Sequence, residues 1–210
     1  MKRSASPGRR AFILGGIGLA CTLAWPPPGG AAGAGPTEQL RGAIDRVLRA
    51  LEDPALKGEG RAAERRRAVR QIADEIFDFE ETARRAMAQH WRTLTEAQRK
   101  EFVELFSDLL ERTYTSKIEL YGGERIRYLA ERIEGDFATV PTQLITKKGT
   151  EVPIDYRMLR QGDRWRIYDV SIEGVSLVAN FRTQFNTVIR TSSYDELVRR
   201  LRSRSEEARP

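Results

Sequence analysis

Apolar residues recur every three or four positions from Leu40 to Tyr121, alternate with polar ones from Arg125 to Ile172, and return to helical spacing after Gly174. Leu40, Ile44, Val47, Leu48 and Leu51 predict a first helix over Thr37–Glu52, closed by Asp53-Pro54. A polar link, Lys57 to Gly60, leads into a second helix ending at Ile76. Phe77-Asp78-Phe79-Glu80-Glu81 opens a short helix through Ala88. Thr95 followed by Gln98 forms a capping box. It starts the longest helix, which carries Phe102, Leu105, Phe106, Leu109, Leu110, Tyr114, Ile118 and Tyr121 before stopping at Gly122-Gly123.

Arg125–Ile133, Phe137–Thr146, Glu151–Arg160 and Trp165–Ile172 then read as four strands. Short turns at Gly135-Asp136, Lys148-Gly149 and Gln161-Gly162-Asp163 imply an antiparallel meander. Pro141 and Pro153 lack a ladder donor and belong at a bulge, a strand end or an edge. Gly174 permits a sharp turn, and Ser176 can cap a helix bearing Leu177, Val178, Phe181, Phe185, Val188 and Ile189. A last helix runs from Tyr194 to Arg202, with Ser193 as its cap. The fold class is therefore α+β: a curved, cone-like antiparallel sheet of four strands or slightly more, roofed by several helices. Two readings stay open for the apolar helix faces. They cover their own sheet, or helices and sheet hold an apolar pocket that takes a lipid.

Charge and chemistry narrow this picture by exclusion. The net charge is +6, but four of the 36 basic residues lie in residues 1–34 beside no acid, leaving 32 bases against 30 acids, a balance of +2. That is no nucleic-acid footprint. Cys21 is the only cysteine and His90 the only histidine, so thiolate and multi-histidine metal sites are excluded and no cofactor is expected. His90 has no oriented carboxylate or nucleophile indicated beside it, and Asp155 and Asp169 are not tied to it, so an enzyme is not expected. Glu104, Asp108 and Glu111 share one side of the long helix with Arg112 and Lys117 nearby, which reads as a solvated, salt-bridged face. Arg61, Arg65, Arg66, Arg67 and Arg70 form a basic run, read as a solvated helix face or as a docking surface for acidic headgroups or an acidic partner.

Residues 1–34 have the layout of an export signal: a basic start, an apolar run Ala11–Ala24, then small residues with cleavage expected near Ala32 or Ala34. Arg9-Arg10-Ala11-Phe12-Ile13-Leu14 is similar to the twin-arginine motif, with Gly8 departing from the usual Ser or Thr. Gly18 stands where a lipoprotein box wants leucine, so lipidation is not expected. The single domain is placed at residues 35–205, with a polar tail at 206–210.

Two segments carry a resemblance. The first is Phe77-Asp78-Phe79, Ala86-Met87 and Trp91-Arg92-Thr93-Leu94-Thr95-Glu96-Ala97-Gln98, continuing through Phe102–Phe106 and Leu110–Tyr114. The second is Tyr168-Asp169-Val170, Ile172–Val178, Asn180-Phe181-Arg182, Gln184-Phe185 and Ile189. Together they resemble the MlaC family, also called toluene-tolerance proteins, across about Leu40–Leu201. Phe181 stands where a tyrosine is usual, keeping the ring and losing the hydroxyl. The resemblance implies a periplasmic phospholipid-binding carrier. Such a protein moves lipid between an inner-membrane ABC transporter complex and an outer-membrane lipoprotein complex, and so serves outer-membrane lipid asymmetry. A monomer is expected. A hopanoid or other lipid cargo, and an adaptor that carries nothing, stand as alternatives. The candidate lipid-contacting residues are Phe102, Phe106, Leu109, Leu110, Tyr114 and Ile118 on the long helix. The sheet would add Tyr128, Val152, Ile154, Tyr156, Met158, Trp165 and Ile167. The strand-to-helix junction would add Val175, Leu177, Val178, Phe181 and Phe185.

Overall fold

A computed structural model describes residues 33–119 and 121–206. The export signal with its twin-arginine motif and Cys21, apart from Gly33 and Ala34, and tail residues 207–210 lie outside them. Four helices come first: α1 (Pro36–Glu52), α2 (Ala62–Ile76), α3 (Phe79–Met87) and α4 (Glu96–Glu119). The strands β1 (Arg125–Tyr128), β2 (Arg132–Glu134), β3 (Phe137–Ile145), β4 (Glu151–Gln161), β5 (Arg164–Ile172) and β6 (Val175–Ser176) follow. Helices α5 (Leu177–Thr191) and α6 (Tyr194–Glu206) end the described chain. The fold is α+β, with an antiparallel sheet of six strands in the order β1-β3-β4-β5-β6 and β2 paired to β3.

Six strands arise where four segments were read because the first splits and a two-residue strand is added at the end. The split has a local cause. Leu129 donates to the Pro141 carbonyl at 2.9 Å, so the missing proline donor points at the break between β1 and β2. Pro153 behaves alike: Glu173 donates to its carbonyl at 2.9 Å, just past the last paired residue of β5, Ile172. Each proline thus directs its vacant position to where a neighbouring strand has ended. The break also frees Glu131, whose carboxylate accepts from the Thr37 amide at 2.8 Å and seats the start of α1 over the sheet.

Side-chain caps fix the starts of α3, α4 and α5. Thr95 and Gln98 bond reciprocally at 2.9 and 3.3 Å at the start of α4. Asp78 caps α3 by accepting from the Glu81 amide at 2.9 Å, and its own amide donates to the Ile167 carbonyl at 2.8 Å, tying α3 to β5. The junction into α5 is the most tightly bonded. Glu173 and Gly174 take positive φ, +50 and +81°, to turn the chain. The Ser176 hydroxyl accepts from the Ala179 amide at 3.0 Å and donates to Asp169 at 2.7 Å. Asp169 also accepts from the Val178 amide at 3.0 Å and from Arg157 at 3.2 Å. It is buried, and these donors replace the water it has lost.

Apolar side chains gather in two clusters. One joins α3, α4, α5 and α6 through Met87, Trp91, Phe102, Phe106, Phe181, Phe185, Leu197 and Leu201. The other lies on the sheet under α1, with Leu40, Ala138, Val140, Met158, Trp165, Ile167 and Val170.

Candidate functional site: an apolar cavity under the first two helices

Beside the sheet cluster lies a cavity of about 550 Å³. One wall is α1, with Leu40, Ala43, Ile44, Val47, Leu48 and Leu51 facing in at helical spacing. A second is α2 and its exit, with Val69, Ile72, Ala73, Ile76, Phe77 and Phe79. Leu110, Tyr114 and Ile118 of α4 form a third, and Ile126, Leu144, Ile154, Tyr156, Ile167, Val170 and Ile172 of the sheet, with Leu177, complete it. The volume is within the range of small-molecule sites, and the lining is almost wholly apolar.

The cavity has a deep and a shallow end. Leu40 and Ile167 are each 1% exposed, whereas Ile118 is 37% exposed. The mouth therefore opens where α1 and α4 end, beside Leu51, Tyr121, Glu124 and Thr146. The Glu124 carboxylate accepts from the Gly122 amide at 2.7 Å, which holds it at this rim. Burial, with the Glu52 and Glu124 carboxylates nearby, pushes the Tyr121 phenol up. Deeper in, burial pushes the Tyr156 phenol to about 12, helped by Tyr128. Tyr128 likewise rises to about 12 through burial and the Asp45 carboxylate, against the opposing Arg41 guanidinium. Arg41 stacks 4.3 Å from the Tyr128 ring, whose buried hydroxyl finds no partner.

The gap between α2 and α4 is closed by charge. Arg70 lines the cavity, bonds Asp74 at 2.9 Å, lies 3.5 Å from Asp108, and pairs with Glu111. Asp108 belongs to the salt-bridged face read from the sequence, 3.7 Å from Arg112, and both it and Glu111 also reach across to Arg70 of α2. Among the described residues no group of three or more His, Cys, Asp or Glu could hold a metal ion, and no helix is long and apolar enough to cross a membrane. His90 Nε2 is 3.0 Å from the Asn186 amide oxygen, against α5.

Of the residues singled out from the sequence, Leu110, Tyr114, Ile118, Ile154, Tyr156, Ile167 and Leu177 meet in this cavity. Phe102 and Phe106 lie in the helical cluster instead. Leu109, Phe181 and Phe185 also pack there and border a smaller hollow of about 360 Å³ with Arg200 and Arg204. Met158 and Trp165 are packed in the sheet cluster, with Tyr128 against it, and none of the three lines the cavity. Val178 is buried at the start of α5, Val152 sits across from cavity-lining Leu144, and Val175 is 60% exposed. The walls from α1 and α2 were missed, although the α1 stripe was visible as an apolar face needing a cover.

The profile of the MlaC protein family matches residues 41–203. The chain belongs to the MlaC family. Among its relatives is the "Intermembrane phospholipid transport system binding protein MlaC" of Haemophilus influenzae, 21% identical over 129 residues, which are 59% of this chain. The match spans 60% of that relative's own length. Among solved structures, a phospholipid-binding protein from Ralstonia solanacearum, determined in complex with a phospholipid, superposes with a TM-score of 0.71 at 27% identity. That likeness covers 80% of this chain and 96% of the other. For this MlaC family member, the region of likeness includes the α+β framework that encloses the cavity.

Proposed function

We propose that the protein is a periplasmic phospholipid carrier that holds acyl chains in the cavity under α1 and α2 and leaves the headgroup at the mouth beside Tyr121 and Glu124. The observation that carries this reading is an apolar cavity of about 550 Å³ in a chain whose fold matches a phospholipid complex. The physical logic is that each tail methylene left in water costs about 0.8 kcal/mol, so a carrier must bury most of the tail surface. A lining with few fixed polar partners suits release as well as uptake, because it makes no strong directional bond that must be broken.

The reading includes export by the residue 1–34 signal and exchange of lipid with an inner-membrane ABC transporter complex and an outer-membrane lipoprotein complex. It excludes catalysis. The Asp169 oxygens bond Arg157, Ser176 and Val178, and His90 meets Asn186 on a different element, so the reading gives neither a catalytic part. A purely adaptor role is disfavoured by the cavity itself, since an adaptor gains nothing from leaving such a space unfilled.

The test is mass spectrometry of an organic extract from protein purified without detergent. Near-stoichiometric phospholipid is expected. A polycyclic lipid would keep the architecture and change the cargo. Protein that is empty, and that takes no lipid from vesicles, would overturn the carrier reading.

A further inference from the structure

The deep end of the cavity is closed by a specific set of side chains. Leu40 of α1 and Ile167 of β5 line it and are each 1% exposed. Met158 stands across the strand pair from Ile167, is 0% exposed, and belongs to the same packed cluster without lining the cavity. Ala43, one turn after Leu40 on α1, also lines the cavity and presents only a methyl group. The deep end is thus a floor of two branched side chains, with an unbranched one packed beside Ile167 on the neighbouring strand.

Volume makes this floor matter. A dry cavity of about 150 Å³ takes a six-carbon benzene, or about 25 Å³ per carbon. On that scale, about 550 Å³ holds about 22 carbons. A two-chain lipid brings about 30 tail methylenes, which overfill such a space and bring the chain ends to its closed end. We propose that Leu40 and Ile167, backed by Met158, set the acyl-chain length of the cargo. The proposal rests on the phospholipid reading and adds to it the residues that decide which tail length is preferred. Met158 is suited to the part, because an unbranched side chain fills an irregular gap and its removal leaves a contiguous space.

Two substitutions should move the preference in opposite directions. Met158→Ala removes three heavy atoms beside Ile167, which makes room for about three carbons. Ala43→Leu adds three heavy atoms at the same end and keeps a good helix former in α1. Phe185→Leu, in the helical cluster, is the control for general loosening. Full-length protein is incubated with vesicles of phosphatidylethanolamine carrying equal amounts of four even tail lengths, re-isolated, and its bound species are read by mass spectrometry. Met158→Ala should shift the most abundant species up by about two carbons, Ala43→Leu should shift it down by a similar step, and Phe185→Leu should match the unsubstituted protein. Should Met158→Ala fail to fold, the downward shift in Ala43→Leu carries the test. Loaded variants with an unchanged profile, or the same shift in all three, would overturn the floor and leave the carrier reading intact. Unsubstituted protein that loads no lipid would overturn both.

Discussion

The helical cluster and the cavity are both apolar, and α4 contributes to both. In its first half Phe102 and Phe106 meet Phe181 and Phe185 of α5 with ring centroids 5.0 to 5.5 Å apart, edge to face. Leu197 and Leu201 of α6 complete the packing, and both phenylalanines of α4 are at most 1% exposed. In its second half Leu110, Tyr114 and Ile118 face α1 and α2 across open space. Rings dominate the cluster and branched aliphatic side chains the cavity. The neighbouring helices are also held differently: α3, α5 and α6 close directly on α4, whereas α1 lies on the sheet cluster and α2 meets α4 through the Arg70 bridge to Asp108 and Glu111. Close packing is the ordinary state of a protein interior, so an apolar space of about 550 Å³ sets the second region apart.

The largest effect expected from this contrast is in the closed cluster. Phe106→Ala should cost about 3–5 kcal/mol in urea unfolding, because four neighbouring rings and leucines cannot all collapse into the gap. The lipid bound per folded molecule should stay as it was. A cost below about 1 kcal/mol would mean the cluster is no better packed than the cavity.

Next is the joint that orients α5. Asp169→Asn should cost about 2–3 kcal/mol, since an amide keeps the size of the carboxylate but weakens its charge-assisted bonds and offers a donor where three donors converge. Arg157 is half-exposed, so the loss should be smaller than for a fully buried pair. Urea midpoints of both variants under one buffer would rank the two.

The cavity wall should tolerate more. Leu48→Ala, facing the open space from α1, should cost about 1 kcal/mol or less in lipid-free protein, because the side chain already borders a void. In lipid-loaded protein the same change should cost more, through weaker cargo binding. Equal costs in both forms would separate Leu48 from the cargo.

Arg70→Gln should change stability by less than about 1 kcal/mol, as a partly exposed ion pair, yet speed lipid exchange with vesicles. Exchange at the unsubstituted rate would remove the bridge from the account of closure.

The smallest response should be to pH between 6 and 9. The Tyr128 and Tyr156 phenols are both raised to about 12, so both stay neutral throughout that range. A raised phenol favours the fold below its unfolded value of about 10 and loses that contribution as pH climbs through about 12. Tyrosinate absorbance should therefore rise together with unfolding in that alkaline window, and appearance of tyrosinate well below pH 10 would contradict the buried wall.

Much of the framework was legible in the chain itself. The change from helical spacing to alternation at Gly122-Gly123 marks the passage from helices to sheet. Thr95 with Gln98, Ser176 and Ser193 mark helix starts because a short polar side chain satisfies free amides wherever it stands, a one-turn event needing no distant partner. The resemblance concentrated around Asp169, Gly174 and Ser176 has a physical core in the same way: a buried carboxylate, a left-handed turn and a cap lie within eight residues of one another.

Tertiary structure alone decided which apolar face meets which. The stripes on α1 and α4 both announce burial, but periodicity reports that a face is hidden and not what hides it. Phe106 and Ile118 belong to one stripe and end in different surroundings: Phe106 packs on the α5 rings, whereas Ile118 borders the cavity. That Asp108 and Glu111 also bridge to Arg70, about forty residues away in sequence, is beyond any local pattern. The elements and their caps follow from interactions within a turn or a strand pair, and the sequence determined them. The cavity follows from distances between elements far apart in the chain, and only the assembled fold decides those.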